Sequence, residues 1–248
     1  MKESARILWF ETLDSTNNEA LRRLERLDNL SVLAAREQTA GRGQRGNRWH
    51  AAPGENLTFS LVFKPGFPLP AAAAFGISRA AALAVRDYLE HRSVEARIKW
   101  PNDIYVRNRK ICGMLVENTL REGLVQASVI GIGLNVNQRS FLPELVNPVS
   151  MSLVTGETYA PEAELETLCG FLASALDALA DPSGTAEQAR RYRASLYRLD
   201  ERHEYVRCAD GARFQARIRD VDESGRLLLE NEKGERESFA FKEISFVI

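Results

Sequence analysis

Residues 97–100, 104–106, 111–117 and 125–135 form four strand-like runs that follow one another with no helical period between them. This stretch constrains the fold more than any other. Strands joined by short turns pair antiparallel, whereas parallel neighbours need a crossover of a dozen residues or more. Asn108-Arg109 is the expected hairpin turn between the second and third runs, and a meandering sheet follows. Residues 6–11, 32–36 and 56–63 read as further strands, the last with Leu57, Phe59, Leu61 and Phe63 alternating. Helical spacing appears after the polar turn at residues 14–17, through Leu21, Leu24 and Leu27, and again over residues 71–88, 162–179 and 186–195. The expected class is α+β: a mixed, mostly antiparallel sheet with helices.

Near residues 196–200 the pattern changes. Residues 204–208, 213–221, 226–230 and 237–241 are short strands broken by Asp210-Gly211, Ser224-Gly225 and Lys233-Gly234, as in a small β-barrel. The chain therefore divides into units 1–196 and 197–248. At 248 residues and 44% apolar it can bury a sizeable core. From Gln188 to the end there are 13 basic and 12 acidic residues, and the remainder holds 20 and 22, so neither part carries the positive field of a nucleic-acid binder. Cys112, Cys169 and Cys208 lie far apart and leave one unpaired, which fits a reducing cytoplasm better than a disulfide framework. The first ten residues lack the apolar stretch of a signal peptide, and no segment approaches the roughly 18 apolar residues of a membrane span. A soluble, cytoplasmic protein is expected.

Five blocks carry polar chemistry. In Gly41-Arg42-Gly43-Gln44-Arg45-Gly46-Asn47-Arg48-Trp49, glycines allow close backbone approach to an anion, arginines supply forked donors, and Trp49 offers a ring for stacking; taken alone, the block reads equally as a solvated loop. Lys99-Trp100-Pro101-Asn102-Asp103 holds two polar groups beyond a strand, or is a plain Asn-Asp turn beside a surface lysine. Lys110 sits next to an apolar strand with Gly113 three residues on, where an ammonium can point into a cleft or into water. Gly131 and Gly133 interrupt an apolar strand ahead of Asn135, which suggests a group packed on bare backbone or simple sheet packing. Asp14-Ser15-Thr16-Asn17 reads as helix capping, or as a cradle for a neutral hydrogen-bonding head group. The three histidines have no metal-ligand spacing, and no G-x-S-x-G elbow or Walker loop occurs, so zinc hydrolysis, serine-triad chemistry and P-loop nucleotide binding have little support.

The order of the blocks is more specific than any one of them. D-S-T-N (14–17), Q-T-A-G-R-G-Q-R-G-N-R-W (38–49), K-W-P-N-D-I (99–104), K-I-C-G (110–113) and G-I-G-L-N-V-N (131–137) together resemble the biotin protein ligase family over essentially the whole chain. The resemblance implies a class II synthetase-like catalytic domain and a small SH3-like C-terminal barrel. It also implies a two-step enzyme: biotin and MgATP give biotinyl-5′-AMP and pyrophosphate, and biotin then passes to a lysine of a biotin carboxyl carrier domain, such as that of acetyl-CoA carboxylase. By the same resemblance Ser15, Thr16, Asn17 and Gln38 bind the ureido ring, and Gly41, Arg42, Gly43 and Gln44 shape the loop over biotin, with Gly113 and Gly133 beneath it. Lys110, Arg42 and Asp103 are the implied catalytic residues. Arg42, Arg45, Trp49, Lys99, Asn102 and Asn135 are implied for ATP, with Mg²⁺ carried on the nucleotide near Asp103 rather than in a protein cage.

The family's loop is G-R-G-R-x-G-R-x-W, and here Gln44 and Asn47 replace two arginines. Loss of the cation at Gln44 implies an adenylate that leaks faster. Some family members carry an N-terminal winged helix that binds DNA; only 13 residues precede Asp14, so ligase activity without DNA binding or membrane attachment is expected. Both monomer and homodimer occur among relatives. A lipoate or octanoate ligase would carry R-R-x-x-G-G-G and a downstream H-D, which this chain lacks. A catalytically silent biotin-binding protein would not need Lys110 and Arg42.

Overall fold

The computed structural model describes residues 6–248, apart from the side chain of Arg45. Residues 1–5 of the expected first unit and the Arg45 side chain assigned to ATP lie outside that description. The elements are β1 (Ile7–Leu13), α1 (Thr16–Arg22), β2 (Val32–Gln38), β3 (Leu57–Phe63), α2 (Phe75–His91), β4 (Arg97–Lys99), β5 (Asp103–Val106), β6 (Arg109–Arg121), β7 (Leu124–Leu134), α3 (Met151–Thr155), α4 (Pro161–Asp177) and α5 (Pro182–Ala194). Seven strands form one sheet in the order β1-β2-β3-β7-β6-β5-β4. Only β1 and β2 run parallel, and the meander β4-β5-β6-β7 is antiparallel throughout.

The core lies between this sheet and the layer of α2 and α4. Phe59, Leu61, Ile130 and Ile132 meet Ile77, Leu83, Leu168 and Leu172. Buried Glu164 of α4 accepts from Tyr88 Oη (2.5 Å) and Arg92 Nε (2.8 Å) of α2, so the charge that joins the helices is paired. That environment pushes the Tyr88 hydroxyl pKa upward, first by burial and then by the neighbouring carboxylate.

Three local expectations change. The two-residue hairpin loop is Arg107-Asn108 rather than Asn108-Arg109, because Arg109 pairs with Val106 in the ladder and Arg107 takes the left-handed conformation (φ 53°). Helix α1 ends at Arg22, and Leu24 falls in a separate 3₁₀ turn. The buried side of α1 holds Thr16, Asn17 and Ala20, whereas Leu21 is exposed; of the spaced leucines, Leu24 and Leu27 lie beyond the helix and pack into the cluster of Ala20, Leu33, Val62 and Val129. Strand β3 is buried on both faces: its leucines and phenylalanines join the core, and on the alternate positions Ser60 meets Thr16 and Asn17 of α1.

The last five strands, β8 (Arg202–Arg207), β9 (Arg213–Val221), β10 (Leu227–Asn231), β11 (Arg236–Phe239) and β12 (Ile244–Phe246), form an antiparallel sheet ordered β11-β10-β9-β8-β12. Residues 240–243 carry the chain directly from one edge strand to the other, which curls the sheet. The expected barrel is nevertheless open: β11 and β12 form no ladder, because they have four and three residues and the turn between them spends a left-handed Lys242 (φ 82°). The curled sheet rests on the first one where Trp100 Nε1 donates to Gly225 O at 2.9 Å.

Candidate functional site

A cleft of about 340 Å³ opens between the two sheets, a size that suits a small molecule. The facing pair Gly113 and Gly133 and the neighbouring Gly131 leave a strip of bare backbone at its base. A Cβ on Gly131 would run into the Asn17 amide, and one on Gly133 into the Trp49 ring, so both glycines are required by close approach.

The head of α1 forms one end. Ser15 occupies the N-cap position, yet its side chain makes no capping bond. Gln38 Oε1 takes the Thr16 N–H (2.7 Å), and Ser60 Oγ lies 2.8 Å from Thr16 Oγ1 and 2.6 Å from Asn17 Oδ1. Asn17 Nδ2 donates to Glu117 Oε2 (2.8 Å) and Leu115 O (3.3 Å). Ser15, Thr16 and Asn17 are each at most 3% exposed, so this is a built polar cradle rather than a surface cap.

Above it the 41–49 loop doubles back on itself. Arg42 and Arg48 form an isolated bridge, Gly43 N donates to Asn47 O at 2.7 Å, and Trp49 N to Gly41 O at 3.0 Å. Gly41 is buried behind the cleft, where a side chain would strike the Trp49 carbonyl. Arg42 is fixed by a bidentate pair with Glu117 (2.7 and 2.9 Å). The Trp49 indole covers the glycine strip with its Nε1–H buried and without a protein acceptor among the described residues.

At the other end stand two lysines in unlike settings. Lys110 Nζ pairs with Asp103 at 2.7 Å and lies 5.8 Å from the Trp49 ring centre. Lys99 Nζ sits over the rings of Phe246 (4.7 Å) and Tyr105 (5.2 Å). Burial there pushes its pKa below the usual lysine range; Lys110 and Arg198 push the same way and Asp103 opposes them. Asn102 Nδ2 donates to Met114 O at 2.5 Å, which fixes the turn that presents Asp103.

The structure thus gathers Ser15, Thr16, Asn17, Gln38, Arg42, Gly43, Gln44, Trp49, Lys99, Asn102, Asp103, Lys110, Gly113 and Gly133 around one cleft. Asn135 is not among them: its Nδ2 donates to Val149 O at 3.0 Å and it fastens the end of β7 to the segment before α3. Sequence reasoning missed Ser60, Glu117 and the cleft residues of the second sheet, Phe241, Ile244, Ser245 and Phe246. Glu117 did stand at the end of the Lys110 block, where a charge closing an apolar strand was the available signal.

Arginine and lysine donors beside a polar cradle and a flat, bare strip have the chemistry to take an anionic small molecule with a neutral, hydrogen-bonding head. The biotin/lipoate A/B protein ligase family model matches residues 9–135, and the chain belongs to that family. It is similar to the biotin–[acetyl-CoA-carboxylase] ligase of Paracoccus denitrificans, at 34% identity over 89% of this chain and 92% of that one. It is also similar to the bifunctional ligase/repressor BirA of Salmonella typhimurium, at 34% identity over 58% of this chain and 45% of that protein, so the match spans less than half of that relative. The biotin protein ligase of Aquifex aeolicus, solved with biotin and ATP, shares the fold: TM-score 0.79 over 97% of both chains at 23% identity.

Proposed function

We propose that this chain is an ATP-dependent biotin protein ligase, which joins biotin to AMP and then passes it to a lysine of a biotin carboxyl carrier domain. One observation carries the reading: a neutral polar cradle (Ser15, Thr16, Asn17, Gln38) with Arg42 above it and a cationic end (Lys99, Lys110) line a single cleft. The cradle suits a ureido ring, and the cations suit a carboxylate brought against a phosphate.

In the first step a carboxylate oxygen of biotin attacks the α-phosphorus; the new P–O bond forms as the bond to the β-phosphate bridging oxygen breaks, and pyrophosphate leaves. Two anions must approach for this, and Lys110 and Arg42 offset their repulsion while fixing their orientation. In the second step the acceptor lysine gives up its ammonium proton to solvent and attacks the acyl carbon as a neutral amine; the C–N bond forms as the acyl–oxygen bond breaks, AMP leaves, and the remaining excess proton on nitrogen passes to solvent. Asp103, the one carboxylate among the described lining residues, would orient the amine in this reading. Trp49 lies over the strip that would hold biotin and nucleotide, and Gly43 and Gln44 line the same cleft.

Asp103 is paired with Lys110, and no group of three metal-ligating His, Cys, Asp or Glu occurs among the described residues. In this reading magnesium would be carried by the nucleotide, with Asp103 as the nearest carboxylate of the cleft. No helix among the described residues is long and apolar enough to cross a membrane, which is compatible with a cytoplasmic site of action.

The transfer step is tested by incubating the protein with ATP, biotin and an isolated carrier domain and weighing the product. A mass gain of one biotinyl group, lost when the acceptor lysine is changed to arginine, is the expected result; no gain on any carrier domain, or a gain with lipoate alone, would overturn the reading.

A further inference from the structure

Glu117 lies on β6 facing the cleft end of α1, with its side chain 27% exposed. Its Oε1 accepts from Arg42 Nη2 (2.7 Å), and its Oε2 accepts from both Arg42 Nη1 (2.9 Å) and Asn17 Nδ2 (2.8 Å). We propose that Glu117 is a positioning residue, a single carboxylate that orients the phosphate-facing cation and the ureido-facing amide together. The proposal rests on the ligase reading and extends it to a residue outside the lining of the cleft.

The hydrogen-bond inventory gives the reason. Arg42 has five N–H groups. Glu117 takes two, and Asn18 Oδ1 takes a third at 2.9 Å. The remaining two, Nε–H and one on Nη2, are free for an anion. Unclamped, a half-exposed arginine would have to lose most of its side-chain entropy when the phosphate arrives; clamped, it has already lost it. Asn17 is constrained in the same way. Its Nδ2 hydrogens go to Glu117 and Leu115 O, and its Oδ1 faces Ser60 Oγ at 2.6 Å. The amide cannot flip without placing its N–H₂ against Ser60 and its oxygen against a carboxylate. Asn17 is left to offer an acceptor lone pair, the complement of a ring N–H.

The test is a double-mutant cycle on biotin-dependent ATP–pyrophosphate exchange, with Glu117→Gln, Arg42→Ala and both. Glu117→Gln should lower kcat at least ten-fold and raise the biotin KM several-fold in the Arg42 protein. In the Arg42→Ala background it should leave kcat within about two-fold, while the KM effect through Asn17 persists. Equal kcat losses in both backgrounds, or no loss in either, would overturn the proposal. The Arg42 Nη–H NMR signals of the ligand-free protein are a second readout that does not depend on biotin: separately resolved in the wild type, where Glu117 and Asn18 hold three of the four Nη protons, and averaged by rotation in Glu117→Gln. Unchanged signals would also overturn it, and a wild type that exchanges with no acid would sink the ligase reading while these signals still decide the clamp. Glu117→Asp, which keeps the charge but shortens the reach, serves if the glutamine variant fails to fold.

Discussion

Asn17, Gln38, Arg42 and Lys110, on the first-sheet side of the cleft, are each held by a hydrogen bond or ion pair to another part of that sheet's layer. Ile244 and Phe246, on the opposite side, come from β12 and meet the cleft through apolar and ring contact, with Phe246 over Lys99 at 4.7 Å. One side is a network of hydrogen bonds and ion pairs within the first sheet's layer; the other is an edge strand of three residues laid against it. The contrast separates roles. Changes on the first side should alter the chemical step, and changes on the second should alter how tightly the cleft closes.

The sharpest break of that contrast is Lys110→Ala. It leaves Asp103 without its partner and, in the proposed reaction, removes a cation from the reacting centre, so kcat for biotin-dependent exchange should fall about 10²–10³-fold, roughly 3–4 kcal/mol. Gly133→Val comes next. The added side chain meets the Trp49 ring, so loop 41–49 must lift, at a cost of about 1–3 kcal/mol in stability and a higher biotin KM; thermal unfolding and titration calorimetry read the two effects. Phe246→Ala tests the second side. It should raise the nucleotide KM by an amount matching about 0.5–2 kcal/mol and leave kcat nearly unchanged, a split that steady-state kinetics resolves.

Gln44→Arg restores a cation to the loop and should slow release of the adenylate a few-fold, about 1 kcal/mol, in a stopped-flow chase; an unchanged off-rate removes Gln44 from the account. The smallest effect concerns pH. Lys99 is protonated more easily in the unfolded chain than in its folded setting, so between its lowered pKa and the usual lysine value the unfolded state binds more protons and stability rises with pH. Lys99→Met should therefore unfold at a higher temperature than wild type at neutral pH, with the gap closing as pH approaches that of free lysine.

The same contrast explains what could be read from the sequence. The antiparallel meander was legible because period-two runs with short turns leave little choice of pairing, and Lys110, Arg42 and the 14–17 block were legible because polar residues in fixed order stand out against apolar strands. Ile244 and Phe246 carried no such mark: an apolar residue in a short strand looks the same whether it fills a core or lines a cleft. Glu117 showed only as a charge closing an apolar strand; its role did not, since its partners Asn17 and Arg42 lie 100 and 75 positions away. The two glycines of β7 pointed correctly to something packed on bare backbone; that it is Asn17 and Trp49 needed the fold. Asn135 misled because an amide beside a glycine-rich strand has the same sequence appearance when it braces a loop as when it faces a ligand.

ATP–pyrophosphate exchange with biotin, lipoate or octanoate as the acid, run on the wild type and on Lys110→Ala, tests the central claim most directly. The account predicts exchange that requires biotin and collapses in the variant. Exchange supported by lipoate or octanoate but not biotin, or exchange that survives loss of Lys110, would contradict it.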